Sequence, residues 1–229
     1  MDEIKSREIL KKYNQEQLLR FYDELDISAK EKLLKDIENI DFEKVKAFND
    51  IQVVTEKLDT IEPIERIKKD ELSKEKTQTL SQIGRSIIES GKYAIVTMAG
   101  GQGTRLGHTG PKGTFKLKFK DKERYIFEIF TDYLKRAYEE YNVYIPWYIM
   151  TSVANNDETI NFFETNNYFG YPKEKVKFFK QGQLPITDLD GKILLEEKDK
   201  VLLAADGNGG IFSCAVKEQA FLDVVSRRR

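Results

Sequence analysis

The residues best suited to chemistry lie in one glycine-rich run, Ala99-Gly100-Gly101-Gln102-Gly103-Thr104-Arg105-Leu106-Gly107, with Pro111-Lys112-Gly113 behind it. Four glycines in the eight residues 100–107 let backbone N–H groups approach a polyanion with no Cβ in the way. Arg105 sits inside the run and Lys112 follows it, which pairs one forked and one compact cation with those donors, as phosphate requires. Pro111 stiffens the approach to Lys112, and Gly113 keeps it clear of side chains. Two better-known glycine loops fail on register. A dinucleotide fingerprint begun at Gly101 meets Leu106 where its third glycine belongs, and Lys112 precedes Gly113 where a P-loop has lysine after glycine. The run reads as a nucleotide-phosphate loop of another kind.

The elements around it are those of an α/β protein. Tyr93 to Met98 is a short apolar run, β-branched in the middle and stopped by glycine, as in a buried strand. Tyr125 to Tyr141 reads as a helix with Ile126, Ile129, Phe130, Tyr133, Leu134 and Ala137 on one face. Val143 to Met150 and Val176 to Phe179 read as strands, Asp157 to Asn166 as a helix, and Val201 to Ala205 as another strand. Asp190-Gly191 between Ile186 and Ile193-Leu194-Leu195 signals a hairpin. Gly209 opens a last helical pattern through Val225. This alternation places ligands beyond the carboxyl ends of the strands.

Residues 1–91 differ from this pattern and read as an N-terminal helical region, with the α/β pattern occupying 92–229. Asn14-Gln15-Glu16-Gln17 and Ser28-Ala29-Lys30-Glu31 offer capping devices ahead of amphipathic helices, and Thr79 to Ser90 predicts a further helix ending at Gly91. The net charge of -1 gives no global attraction to nucleic acid or to an anionic membrane. The one cysteine, Cys214, excludes an internal disulfide and a multi-thiolate metal site. With no apolar run near the ~20 residues of a membrane span, the expectation is a soluble, cytoplasmic protein. His108, the one histidine, reads as a loop residue, and the pairs Phe162-Phe163 and Phe178-Phe179 as core.

The glycine run with Pro111-Lys112-Gly113 resembles the signature of the UDP-sugar pyrophosphorylases, most of all the eukaryotic-type UDP-N-acetylglucosamine branch and its bacterial relatives. Two later segments, in the same order, carry the resemblance further. They are Phe178-Phe179-Lys180-Gln181-Gly182-Gln183-Leu184-Pro185 and Asp206-Gly207-Asn208-Gly209-Gly210. Asn14 to Phe21 resembles the family's N-terminal helical region. The resemblance implies a GT-A-like, Rossmann-related nucleotidyltransferase catalytic domain, with 92–229 its N-terminal part, that joins UTP and a sugar 1-phosphate, releasing pyrophosphate. N-acetylglucosamine 1-phosphate is the first-choice substrate. Glucose 1-phosphate, or a non-catalytic UTP- or UDP-sugar-binding role, are the alternatives. Such chemistry needs no protein nucleophile; it needs positioning and neutralised phosphate charge, usually with Mg²⁺.

By the same resemblance, Ala99, Gly100, Gly101, Gly103 and Thr104 line the nucleotide, and Arg105 and Lys112 bind the transferring and leaving phosphates. Gln181 reads the uracil edge, since an amide offers both donor and acceptor. Gly207 passes close to the nucleoside, Asn208 bonds the sugar, and Thr151-Ser152 is a further candidate for the pocket. Asp206 and Asn208 also suit turns and helix caps. No metal ligand is identified in this chain. Family members continue well past the Asp-Gly-Asn-Gly-Gly helix, so the expectation is a C-terminally truncated chain whose metal-holding aspartate and second catalytic lysine lie in a lost half or a second chain. The ending Val224-Val225-Ser226-Arg227-Arg228-Arg229 fits that expectation.

Overall fold

The computed structural model describes residues 1–50, 62–119 and 122–217. Helices α1 (Glu3–Lys12), α2 (Ile27–Glu38), α3 (Phe42–Asn49) and α4 (Lys74–Glu89) come first, followed by strand β1 (Ile95–Met98). Next are the hairpin strands β2 (Lys116–Phe119) and β3 (Lys122–Tyr125), helix α5 (Ile126–Tyr141), β4 (Trp147–Thr151), α6 (Asn156–Thr165) and β5 (Val176–Lys180). Short strands β6 (Gln183–Pro185), β7 (Leu195–Glu197), β8 (Lys200–Val201) and β9 (Leu203–Ala205) precede α7 (Ile211–Lys217). The chain divides into two compact units: a hairpin unit of Met1–Glu62 with Gln183–Asp206, and a sheet unit of Pro63–Gly182 with Gly207–Arg229.

In the sheet unit, β1, β4 and β5 form a parallel sheet with β4 central. All five residues of β4 are buried, as a strand covered on both faces must be. Trp147 and Ile149 pack with Phe127, Leu134 and Phe163 on one face, while Tyr148 and Met150 meet Phe179, Cys214 and Ile211 on the other. Phe163 is fully buried and touches the rings of Phe127, Trp147 and Phe178 at 4.8–5.5 Å between centroids. The aromatic pairs are therefore core. The Trp147 indole N–H donates to Thr97 Oγ1 at 2.8 Å, tying β4 to β1.

In the hairpin unit, α1, α2, α3 and the 3-10 turn Glu16–Leu19 gather Leu10, Leu18, Leu33, Ile37 and Phe42 around Ile193 and Val201. Asp2, Asp26 and Asp41 cap these helices, accepting from Lys5, Ala29 and Lys44 N–H at 2.8–3.0 Å. The Asp190-Gly191 hairpin forms as expected: Thr187 pairs with Ile193, Asp188 N–H bonds Lys192 O at 2.9 Å, and Gly191 takes φ +77°. β6 pairs antiparallel with β9, and β7 with β8.

Several local expectations are corrected. Asn14 to Gln17 does not cap a helix: Asn14 has φ +56°, and Glu16–Leu19 and Tyr22–Glu24 are 3-10 turns. The Gln15 amide is drawn instead to the hairpin, donating to Gly191 O at 2.9 Å and accepting Ile193 N–H at 2.8 Å. Ser28 is not the cap of α2; Asp26 is. The helix expected from Thr79 starts at Lys74, capped by Ser73. Helix α5 buries Phe127, Thr131 and Leu134, leaving Phe130 and Tyr133 exposed, because Phe127 is the ring that fills the space over Gly113. The strand expected from Val143 begins at Trp147, after Asn142 turns left-handed at φ +52° and Pro146 interrupts the ladder. The run 201–205 divides between β8 and β9, which pair with different partners. The expected last helix is α7 as far as Lys217; its continuation to Val225 and the Val224–Arg229 ending lie outside the described residues.

Candidate functional site

The carboxyl ends of β1, β4 and β5 bring Gly100, Ser152, Gln181 and Gly207 of the sequence-predicted residues together. The chain leaves β1 at Ala99, whose N–H donates to Met150 O at 2.7 Å. The loop then folds on itself: Gly103 N–H bonds Gly110 O at 2.9 Å, Lys112 N–H bonds Gly101 O at 3.1 Å, and Leu106 and His108 N–H both reach Gly103 O. Gly103 is buried, and a Cβ there would lie 2.8 Å from His108. His108 bonds Thr114 Oγ1 at 2.7 Å, which makes it a brace of the loop. Gly107 and Gly110 take φ +66° and +119°, a region that glycine enters freely.

With those turns closed, the N–H groups of Gly100, Gly101, Gln102, Thr104 and Arg105 have no acceptor among the described residues. Gly101 has open space where a Cβ would stand. Arg105 and Lys112 are exposed and ion-pair with no carboxylate among the described residues. A cluster of free donors beside two uncommitted cations is an anion-binding surface.

Gln181 follows β5 directly. Its N–H donates to Thr151 O at 2.7 Å and its Nε2 to Gly207 O at 2.9 Å. Its Oε1 lies 2.8 Å from where a Cβ would stand on Gly100, so an alanine at 100 would displace the amide. Gly207, at φ +77° and ψ 179°, opens the 3-10 turn Asn208–Gly210 that leads into α7. Gly100, Ser152, Gln181 and Gly207 are thus neighbours. Thr104, Arg105, Lys112 and Asn208 present exposed side chains outside that set of contacts. Asp206 makes no cap bond, and its Oδ1 is buried without a hydrogen-bond partner.

Sequence reasoning named Thr151 and Ser152 but missed Asn155, Asn156 and Thr159, which complete a polar corner at the end of β4. Thr151, Asn155 and Thr159 are fully buried and Asn156 nearly so. Thr151 Oγ1 donates to Asn156 Oδ1 at 2.7 Å, and Asn155 links Ser152 to Ala99. The signal was present as Ser152 and Asn155 at the three-residue spacing of a reciprocal cap. A separate cavity of about 540 Å³, lined entirely by the hairpin unit, has Lys12, Lys46 and Lys192 balanced by Glu43, Asp50 and Asp190 and shows no such surplus of donors. Among the described residues no three His, Cys, Asp or Glu side chains converge as a metal site would require, and no helix is long and apolar enough to cross a membrane.

A UDP-N-acetylglucosamine diphosphorylase 2 from Arabidopsis thaliana is 33% identical across 96% of this chain and 47% of its own length. The UDP-N-acetylglucosamine pyrophosphorylase of Saccharomyces cerevisiae is 40% identical across 64% of this chain and 31% of its own. The crystal structure of the uridine diphosphate N-acetylglucosamine pyrophosphorylase from Trypanosoma brucei, in complex with inhibitor, superposes with a TM-score of 0.68 and 25% identity, covering 91% of this chain and 45% of that one. The chain spans about half the length of the curated relatives that match it along most of its sequence. Residues 32–228 match the family described as UTP--glucose-1-phosphate uridylyltransferase, and the chain belongs to that family.

Proposed function

We propose that these residues form the nucleotide half of a uridylyltransferase site that joins UTP to a sugar 1-phosphate. The sugar-phosphate oxygen attacks the α-phosphorus of UTP, a new P–O bond forms, and the bond to the departing pyrophosphate breaks. The observation that carries the reading is the set of unpaired loop N–H groups beside Arg105 and Lys112, at the carboxyl end of a parallel sheet and next to Gln181. Donors of this kind act by being preorganised around charge that develops on the phosphates. In this reading Gly100, Gly101, Thr104 and Arg105 offer N–H groups to the triphosphate, and Ala99 begins that lining. Gly103, whose N–H already serves Gly110, gives the loop its shape. Lys112 and the Arg105 guanidinium neutralise the transferring and leaving phosphates. Gln181, with its Nε2 on Gly207 O, turns Oε1 towards a base carrying a ring N–H, as uracil does. Asn208 is assigned to the sugar.

The relatives' names favour N-acetylglucosamine 1-phosphate as the acceptor over glucose 1-phosphate. Without three converging ligand side chains, the described residues do not fit a resident metal cage, so Mg²⁺ is proposed to travel with the UTP phosphates. A cytoplasmic setting is proposed with it, on the balanced charge and single cysteine. Because the chain spans about half the length of such relatives, nucleotide binding is the part of the activity assigned to these residues.

The test is a titration of the chain with UTP and ATP, repeated with Lys112→Ala. UTP is expected to bind in preference to ATP, and the substitution to weaken it about tenfold or more, the loss of one charge-assisted contact. If neither nucleotide binds and the substitution changes nothing, the reading fails. Pyrophosphate release with each sugar phosphate, measured on a protein in which these residues are joined to the rest of a family member's length, then decides between N-acetylglucosamine and glucose.

A further inference from the structure

The first peptide of the glycine loop is held from behind. Asn155 is 0% exposed, and both ends of its amide are engaged. Nδ2 donates to Ala99 O at 3.1 Å, and Oδ1 accepts Ser152 N–H at 2.8 Å. Ser152 Oγ in turn accepts Asn155 N–H at 3.2 Å, and the Thr159 hydroxyl donates to Asn155 O at 2.7 Å. The asparagine therefore has one orientation.

The Ala99 carbonyl and the Gly100 N–H belong to one peptide unit. In a planar trans peptide these two groups point in opposite directions. Drawing the Ala99 carbonyl onto Asn155 consequently turns the Gly100 N–H away from the buried corner. The Ala99 N–H bond to Met150 O fixes the preceding peptide, not this one. Glycine at position 100 would otherwise let the unit rotate at little cost. Rotated, it would offer a carbonyl, the wrong partial charge, to an incoming anion. The same corner also holds Gln181, through Thr151 O.

We infer that Asn155 is a positioning residue for nucleotide binding, one that locks the Ala99–Gly100 peptide with its N–H facing the triphosphate. The inference rests on the reading of the glycine loop as a UTP site. It assigns Asn155 no contact with the nucleotide. Its effect passes through one backbone carbonyl.

Two substitutions separate this role from simple stability. Asn155→Asp keeps an acceptor for Ser152 N–H but removes the donor to Ala99 O, and Asn155→Ala removes both. Tyr171→Phe serves as the control, since its hydroxyl bonds Ile145 O, two residues before the opposite end of β4. Each variant is titrated with UTP and melted, and the Gly100 amide signal is followed by NMR. Both Asn155 variants are expected to weaken UTP about tenfold or more, the equivalent of one hydrogen bond to a charged group. The UTP-induced shift of the Gly100 amide is expected to disappear with them. Tyr171→Phe is expected to lower the melting temperature and leave UTP affinity unchanged.

Asn155→Asp binding UTP as tightly as the parent overturns the inference and leaves the UTP reading intact. Equal weakening by Tyr171→Phe does the same. A parent chain that binds no UTP removes the reading and the inference together. Should Asn155→Asp fail to fold by circular dichroism, the parent decides alone: a Gly100 amide unmoved by UTP overturns the inference.

Discussion

The two compact units treat their polar groups in opposite ways. In the hairpin unit, Gln15 and Gln17 close on the backbone of Gly191 and Ile193, and Lys32 and Lys198 meet Asp199 and Glu24. In the sheet unit, the corner at Thr151 to Asn156 is closed just as fully, yet the loop in front of it keeps free N–H groups and two unpaired cations. Burying an unpaired polar group costs free energy, whereas leaving it at the surface costs little. A unit whose polar groups are matched internally, apart from the buried Gln17 Oε1 and Asp206 Oδ1, works as scaffold. A unit that holds a rigid corner behind unmatched donors is prepared for a ligand that supplies the acceptors.

The sharpest way to break that contrast is at the glycines themselves, which differ by position. A Cβ on Gly113 would stand 2.1 Å from the buried Phe127 ring, while one on Gly101 would meet nothing within 4 Å. Gly113→Ala is expected to destabilise the chain by about 3 kcal/mol or more in denaturant unfolding, through overpacking of the sheet-unit core. Gly101→Ala is expected to change stability little. Equal costs at the two positions would mean that the loop is packed throughout and not open to a ligand.

A second prediction acts on the hairpin unit alone. Gln15→Ala leaves the buried Ile193 N–H without its acceptor and removes the bond to Gly191 O. The expected loss is about 2–3 kcal/mol, read as faster hydrogen exchange across residues 186–195. UTP affinity is expected to stay at the parent value. A fall in affinity would show that the scaffold and the loop are not separable in the way described above.

How much of this could be read from sequence depended on what decides each feature. The glycine loop was legible as a turn closing after β1 because its backbone path is set by residue type and order, from Gly100 to Lys112. The parallel strands were legible from short apolar runs, with β4 starting late because Pro146 and the left-handed Asn142 override the apolar pattern. The face of α5 was misjudged because Phe127 and Thr131 face the core while the equally apolar Phe130 and Tyr133 do not. Periodicity cannot see that Gly113 makes room for Phe127 and for no other ring. The Gln15 segment was misjudged for a related reason: its amide serves a hairpin 176 residues away in the chain, and a distant partner outweighs a local capping preference. Asn167, Tyr168 and Phe169 all take positive φ, a conformation that sequence would reserve for glycine. The buried ring contacts of Tyr168 and Phe169 with Phe163, at 5.8 and 5.9 Å, offset that strain.

The smallest expected effect sharpens the comparison within β4 and its approach, between the ligand end and the end away from it. The Tyr171 hydroxyl is buried against Ile145 O at 2.8 Å, and burial pushes its pKa from 10.0 up to about 12. At neutral pH, Tyr171→Phe removes one neutral hydrogen bond and is expected to cost about 1 kcal/mol. Below pH 10 the phenol is protonated in both folded and unfolded chains, so its contribution to the parent is constant there. As pH rises from about 10 to about 12, the unfolded chain loses this proton first and binds fewer protons than the folded one. The parent's stability must therefore fall across that window. Phenylalanine has no proton to lose, so the gap between parent and variant is expected to close as the solution becomes alkaline. Denaturant melts of both chains at pH 8, about 10 and about 11.5 provide the measurement. A gap that stays constant would mean that the hydroxyl is solvated in the folded protein, and that this end of the sheet is no better sealed than the loop end.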